Sequence, residues 1–150
     1  MTLADALATT ELLFLDTAPV IYYVEEHPHY LPVVETVFER ADAGEVTFVT
    51  SPVTLAECLV LPLRHGRHEF VQAFTEIVIG GAHTRLQLID YSIARQAASL
   101  RAQYNLSLLG AFQASVALAA SCDAFLTNDP ALRRVTSLRV LVLDDFIHSP

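Results

Sequence analysis

Five short, mostly apolar runs constrain this chain more than any other feature. LLFLD at 12–16, VTFVTS at 46–51, TRLQLID at 84–90, DAFLTN at 123–128 and RVLVL at 139–143 each read as a strand. Helix-like stretches separate them: PVIYYVEEH, YLPVVETVFERADAG, PVTLAECLVLPL, GRHEFVQAFTEIVIGG, YSIARQAASLRAQYN and AFQASVALAAS. A short helix is expected to open at Pro130. Gly44 is placed to end the second helix as a left-handed residue. Strands that alternate with helices predict an α/β fold, with a parallel sheet covered on both faces. The runs are nearly continuous in apolar residues, as strands buried on both sides require. In such folds ligands sit outside the carboxyl ends of the strands. A chain of 150 residues without linker or repeat is expected to form one domain over 1–150.

Composition narrows the function classes. The chain is 53% apolar and 17% charged, which argues against disorder. Its mean hydropathy of +0.40 is high for a soluble monomer. The surplus implies apolar surface that a homodimer or a tight protein partner would cover. No uninterrupted apolar run reaches 18 residues, so no membrane span is expected. The N-terminal stretch MTLADALATTELLFLD has no basic segment of the kind a signal peptide carries, and a cytoplasmic location is expected. Cys58 and Cys122 read as reduced thiols rather than as a disulfide framework. A net charge of −8 argues against a general nucleic-acid-binding surface. It leaves room for an enzyme that meets nucleic acid at one metal-loaded cleft.

Three acids stand in unusual places. Asp16 ends the first strand, and Asp129 follows the fourth. Glu57 is the only charged residue between Pro52 and Leu63, and it shares a helical face with Val53, Val60 and Leu61. A lone carboxylate among apolar residues is costly without a partner. Three carboxylates at a strand-end crevice would make an oxygen-rich site suited to Mg²⁺ or Mn²⁺. The chemistry that needs such a site is hydrolysis at phosphate. Plainer roles stand beside this one. Asp129 before Pro130 suits a helix cap, Asp16 could cap the helix near Pro19, and Glu57 could pair with an arginine. Arg64, Arg67, Arg133 and Arg134 could contact phosphate or lie on solvated helix faces. Asp144 and Asp145 read as a solvated strand end. The six histidines form no HxxxH pair, which argues against zinc. No GxGxxG, GxxxxGK or GxSxG motif occurs. The chain has no lysine, so a phosphoacceptor receiver domain is excluded, and the residues after Asp16 do not form the DxD of a dehalogenase-type phosphatase.

Taken in order, three motifs resemble the PIN domain family, and within it the VapC-like toxins of bacterial toxin–antitoxin pairs. FLDTAPVIYYVE resembles the family's opening, SPVTLAECL its S-x-x-T-x-x-E segment, and AFLTNDPAL its T-x-D. The resemblance runs from about residue 12 to residue 146. It implies a three-layer α/β/α domain with a five-stranded parallel sheet in the order 3-2-1-4-5. It also implies a Mg²⁺- or Mn²⁺-dependent endoribonuclease that leaves 5′-phosphate and 3′-hydroxyl ends. Asp16, Glu57 and Asp129 would then hold the metal and carry catalysis, close enough to share one ion or its waters. Thr17 and Asn128 would hold those carboxylates in place. RNA would be the substrate and an antitoxin protein a partner. LSLLGAFQASVAL follows the family's helix before strand four, but Gly110 stands where the family carries another Asp. A PIN-fold module that binds RNA or protein without cutting is the alternative, and a small Mg²⁺-dependent phosphatase is a third reading.

The apolar surplus generates the first test. Sedimentation at micromolar concentration should show a dimer or higher species. A clean monomer would assign the surplus to a partner protein or to a large core.

Overall fold

The computed structural model describes residues 1–147. The strands are β1 (Leu12–Leu15), β2 (Thr47–Thr50), β3 (Thr84–Leu86), β4 (Ala124–Thr127) and β5 (Val140–Val142). Every pair is parallel, and the order is β3-β2-β1-β4-β5. The helices are α1 (Leu3–Leu7), α2 (Thr17–Val24), α3 (Leu31–Asp42), α4 (Pro52–Arg64), α5 (His68–Thr75), α6 (Tyr91–Tyr104) and α7 (Leu108–Ala119). The predicted three-layer α/β/α architecture is the one observed.

The period-two rule of a strand explains how one sheet serves two cores. Leu13 and Leu15 of β1 face a cluster built with Val20, Val34, Val37 and Phe38. Phe14, between them, faces the opposite cluster with Ala97, Ala111, Ala114 and Ala117. In β4, Ala124 and Leu126 join the first cluster and Phe125 the second. Phe14 and Phe125 are register partners, and their rings stack at 4.9 Å. The alanines of α7 let that helix sit close to the sheet.

The chain leaves β1 toward β2 and β3, then returns to the other side for β4 and β5. The order therefore reverses between β1 and β4, and a crevice opens beyond their carboxyl ends. Asp16 and Asp129 both lie there.

Local chemistry explains where the elements differ from expectation. The segment before β1 carries α1, which the sequence reading did not anticipate. A reciprocal capping box starts it: Asp5 N–H donates to Thr2 Oγ1, and Thr2 N–H donates to Asp5 Oδ2. The stretch 66–81 is α5 followed by a separate π-helical turn, Glu76–Gly80. The third strand stops at Leu86 rather than reaching residue 90. Helix α7 begins three residues earlier than AFQASVALAAS because Ser107 caps it, accepting from Gly110 N at 3.1 Å. Gly110 is thus the third residue of the helix. Gly44 has φ +75° just after α3, as expected of a terminating glycine. Cys58 and Cys122 are both free, and burial pushes each thiol up to about 12.

Phe125→Ala removes a fully buried ring from the centre of the sheet. Urea unfolding should show a loss of about 3–5 kcal/mol with the slope unchanged.

Candidate functional site

Asp16 is the first residue past β1, and it caps α2. Its Oδ1 accepts from Thr17 N at 2.9 Å and from Gln113 Nε2 at 3.3 Å. Its Oδ2 accepts from Thr127 Oγ1 at 2.7 Å. Three donors from α2, α7 and β4 therefore converge on one carboxylate. Burial nevertheless pushes the Asp16 carboxyl above its usual range, and the charge of Asp129 pushes the same way. The three hydrogen bonds oppose that shift.

Two threonines connect Asp16 to the other acidic residues. Thr17 Oγ1 donates to Glu57 Oε1 at 2.7 Å, so a single residue holds both carboxylates. Thr127 Oγ1 donates to Asp16 and accepts from Asp129 N at 3.0 Å. Asp129 also caps the 3₁₀ turn Pro130–Arg134, its Oδ1 accepting from Ala131 N at 2.9 Å. The cap roles considered for Asp16 and Asp129 are thus both real, and they coexist with the crevice position.

Glu57 differs from the reading of a lone acid among core residues. Val60 and Leu61 are 50% and 53% exposed, so its helical face opens to solvent rather than to the core. Pro52, Val53, Ala56, Val60 and Leu109 form an apolar groove of about 340 Å³ with Glu57 at its edge. Among the described residues the ion pairs are Arg40–Glu45, Arg67–Glu69 and Arg133–Asp145, so no arginine pairs with Glu57.

Asn128 does not touch the three acids. Its amide donates to Tyr22 OH at 3.2 Å and to Asp144 Oδ1 at 3.5 Å, and its Oδ1 accepts from Asp144 N at 3.0 Å. Asp144 also accepts from Tyr30 OH at 2.6 Å, so this exposed residue at the strand end, solvated as expected, braces the Tyr30 side chain as well. Three of the four arginines considered for phosphate are engaged elsewhere. Arg67 lies over Phe70 and pairs with Glu69, Arg133 pairs with Asp145, and Arg134 donates to the carbonyls of Tyr104 and Asn105.

Sequence reasoning missed Gln113, Thr54 and Thr127 as residues of the site. The available signal for Gln113 is that it is the one long polar side chain in AFQASVALAA.

The donor set is all carboxylate oxygen, the kind a hard cation takes, and a cation would offset the burial cost of Asp16. Among the described residues, however, no three His, Cys, Asp or Glu side chains lie close enough together to hold an ion. Mg²⁺ typically keeps several waters and uses one or two carboxylates. The three acids are thus not close enough to share an ion directly, and a divalent ion at this crevice would have to reach part of them through its waters.

The raised Asp16 carboxyl has a pH consequence. The folded protein holds that proton more tightly than the unfolded chain, whose value is near 3.8. The resulting stability is present below that pH and is lost as pH rises through the folded value. Asp16→Asn should therefore raise the melting temperature of metal-free protein at neutral pH. The gain should shrink as pH falls toward 3.8. An equal gain at every pH would contradict this assignment.

The sequence profile of the PIN domain family matches residues 13–138. No match is found among curated protein sequences. Among solved structures, the chain is similar to the Rickettsia felis VapBC2 complex bound to a promoter DNA fragment. The TM-score is 0.68 at 18% identity, covering 87% of this chain and 98% of that one. It is also similar to Mycobacterium tuberculosis VapC20, a Sarcin-Ricin loop cleaving toxin. There the TM-score is 0.62 at 16% identity, covering 75% of this chain and 86% of that one. A toxin–antitoxin complex from Klebsiella pneumoniae gives a TM-score of 0.65 at 16% identity, covering 87% and 97%. These likenesses concern the fold, while the profile spans most of the chain, from the strand before Asp16 past the turn after Asp129: the chain belongs to the PIN domain family.

Proposed function

We propose that this PIN domain is a Mg²⁺- or Mn²⁺-dependent endoribonuclease, the toxin of a toxin–antitoxin pair. The observation that carries this reading is the Asp16–Thr17–Glu57 chain of hydrogen bonds, set beside Asp129 at the crevice where the strand order reverses. Asp16, Glu57 and Asp129 would hold a hydrated ion, in part through its bound waters. When bound, a divalent ion would offset the negative charge that develops on phosphate during hydrolysis. Asp16 supplies the fixed anchor, because donors from three elements hold it. Thr17 keeps Glu57 turned toward Asp16 instead of along the groove. Asp129 is exposed, at the mouth where an RNA strand would arrive.

Partner surface supports the toxin reading. Val60, Leu61, Leu63, Leu108 and Leu109 are all more than 45% exposed, on α4 and α7. Of these, Val60 and Leu109 share the groove beside Glu57, and an antitoxin segment or a second copy would cover it. Two of the similar structures are complexes of a toxin with its antitoxin. No described helix is long and apolar enough to cross a membrane.

Gly110 supports a second reading, a PIN module that binds RNA or protein without cutting. Position 110 lies one turn before Gln113 on the same face of α7. A carboxylate there would project toward the crevice, and glycine supplies none. The substitution has a structural cost that the sequence does not show. A Cβ at 110 would lie 2.9 Å from Ser107 Oγ, the hydroxyl that caps α7. Gly110→Asp must therefore turn that hydroxyl aside and should cost about 1 kcal/mol.

The test is Mn²⁺-dependent cleavage of a mixed RNA pool by the native sequence, by Gly110→Asp, and by Gly110→Asp/Asp16→Ala. Gly110→Asp should raise cleavage at least about tenfold, since one transition-state contact is worth a few kcal/mol, and Asp16→Ala should abolish the gain. A Ser107→Gly/Gly110→Asp pair removes the clash. If that pair folds and gains no cleavage over an active native protein, position 110 is not the missing ligand position; if neither protein cuts, the non-cutting module is the correct reading.

A further inference from the structure

Gln113 is 1% exposed, yet it carries an amide with both a donor and an acceptor end. Its Oε1 accepts from Ser51 Oγ. Its Nε2 donates to Thr54 Oγ1 at 2.8 Å and to Asp16 Oδ1 at 3.3 Å. Amide orientation in a structure is an assignment, so the surrounding protons have to decide it. Ser51 caps α4, and its hydroxyl oxygen accepts from Val53 N at 3.1 Å and Thr54 N at 3.3 Å. Both lone pairs are then used, and the hydroxyl can only donate. Thr54 sends its own proton to Leu15 O at 3.4 Å and can only accept from Gln113. Turning the amide over would set N–H against a saturated hydroxyl and bring a carbonyl oxygen up to Asp16. The cap of α4 therefore fixes which end of Gln113 meets Asp16.

We propose that Gln113 is a positioning residue of the site: the cap of α4 orients its amide, and the amide, together with Thr17 and Thr127, sets the rotamer of Asp16. The relay links the helix that carries Glu57 to the strand end that carries Asp16, through a residue that touches no substrate. It also accounts for a long polar side chain in a helix otherwise packed with alanine. The role toward a cation rests on the proposed function; the role toward Asp16 does not.

The variant is Gln113→Met, which keeps length and removes both ends of the amide. Ser115→Ala is the control, because Ser115 is buried on the same helix but donates to Ile93 O at 2.7 Å, away from the acids. The first readout is the carboxyl carbon resonance of Asp16 in metal-free protein at neutral pH. Gln113→Met should move or broaden it while Ser115→Ala leaves it in place. An unmoved Asp16 signal in a folded Gln113→Met protein overturns the proposal, and so does an equal shift in the control. The second readout is Mn²⁺ affinity by calorimetry. Gln113→Met should weaken it about tenfold, since the carboxylate then loses one of the donors that hold it toward the crevice. Undiminished affinity would overturn the role toward the ion. A native protein that binds no Mn²⁺ would sink the proposed function, while the resonance would still decide what Gln113 does.

Discussion

The structure turns on one half-buried carboxylate and the donors gathered around it. Moving Asp16 out of water costs several kcal/mol unless its charge is met. Thr17, Thr127 and Gln113 meet part of that cost, and each hydrogen bond to the charged form returns about 1.5–3 kcal/mol. The remainder shows as a carboxyl held above its usual range. The donors come from α2, β4 and α7, so β1, β4 and the two helices must keep their relative places for Asp16 to be tolerated at all. The site and the fold are specified together.

Two kinds of legibility can be told apart here. The strands were readable because each is short, apolar and buried on both faces, and parallel pairing follows from the helices between them. The gathering of Asp16 and Asp129 at one crevice, with Glu57 tied in through Thr17, was readable because strand ends and an apolar helix are unusual places for charge. Helix α1 was not readable by hydrophobic period, since five residues give too little pattern; its capping box is a local signal. Asn128 was misassigned because a residue beside a strand-end acid can turn either way. The side chain turned to Tyr22 and Asp144. The setting of Glu57 was misjudged because helical spacing tells which residues share a face, not whether the face is covered. Gln113 was missed because it lies 97 residues from the acid it touches.

In the proposed reading the site is incomplete: with Gly110 in place of a fourth acid it would have less charge to hold an ion, and Ser107 occupies part of the space that an added side chain would need. The apolar groove beside Glu57 puts a sticky surface next to the acids. In the proposed reading, whatever covers that surface also controls access to the crevice. Such a coupling of partner binding to catalysis requires no conformational change, only adjacency on α4 and α7.

The central claim is that Asp16 anchors a divalent ion at the reversal of strand order. Anomalous diffraction from crystals soaked in Mn²⁺ tests it most directly. The account predicts a manganese peak in the crevice, in contact with the Asp16 carboxylate and within one water of Glu57 or Asp129. A well-ordered crystal with manganese only at distant surface carboxylates, and an Asp16 held solely by Thr17, Thr127 and Gln113, would contradict it.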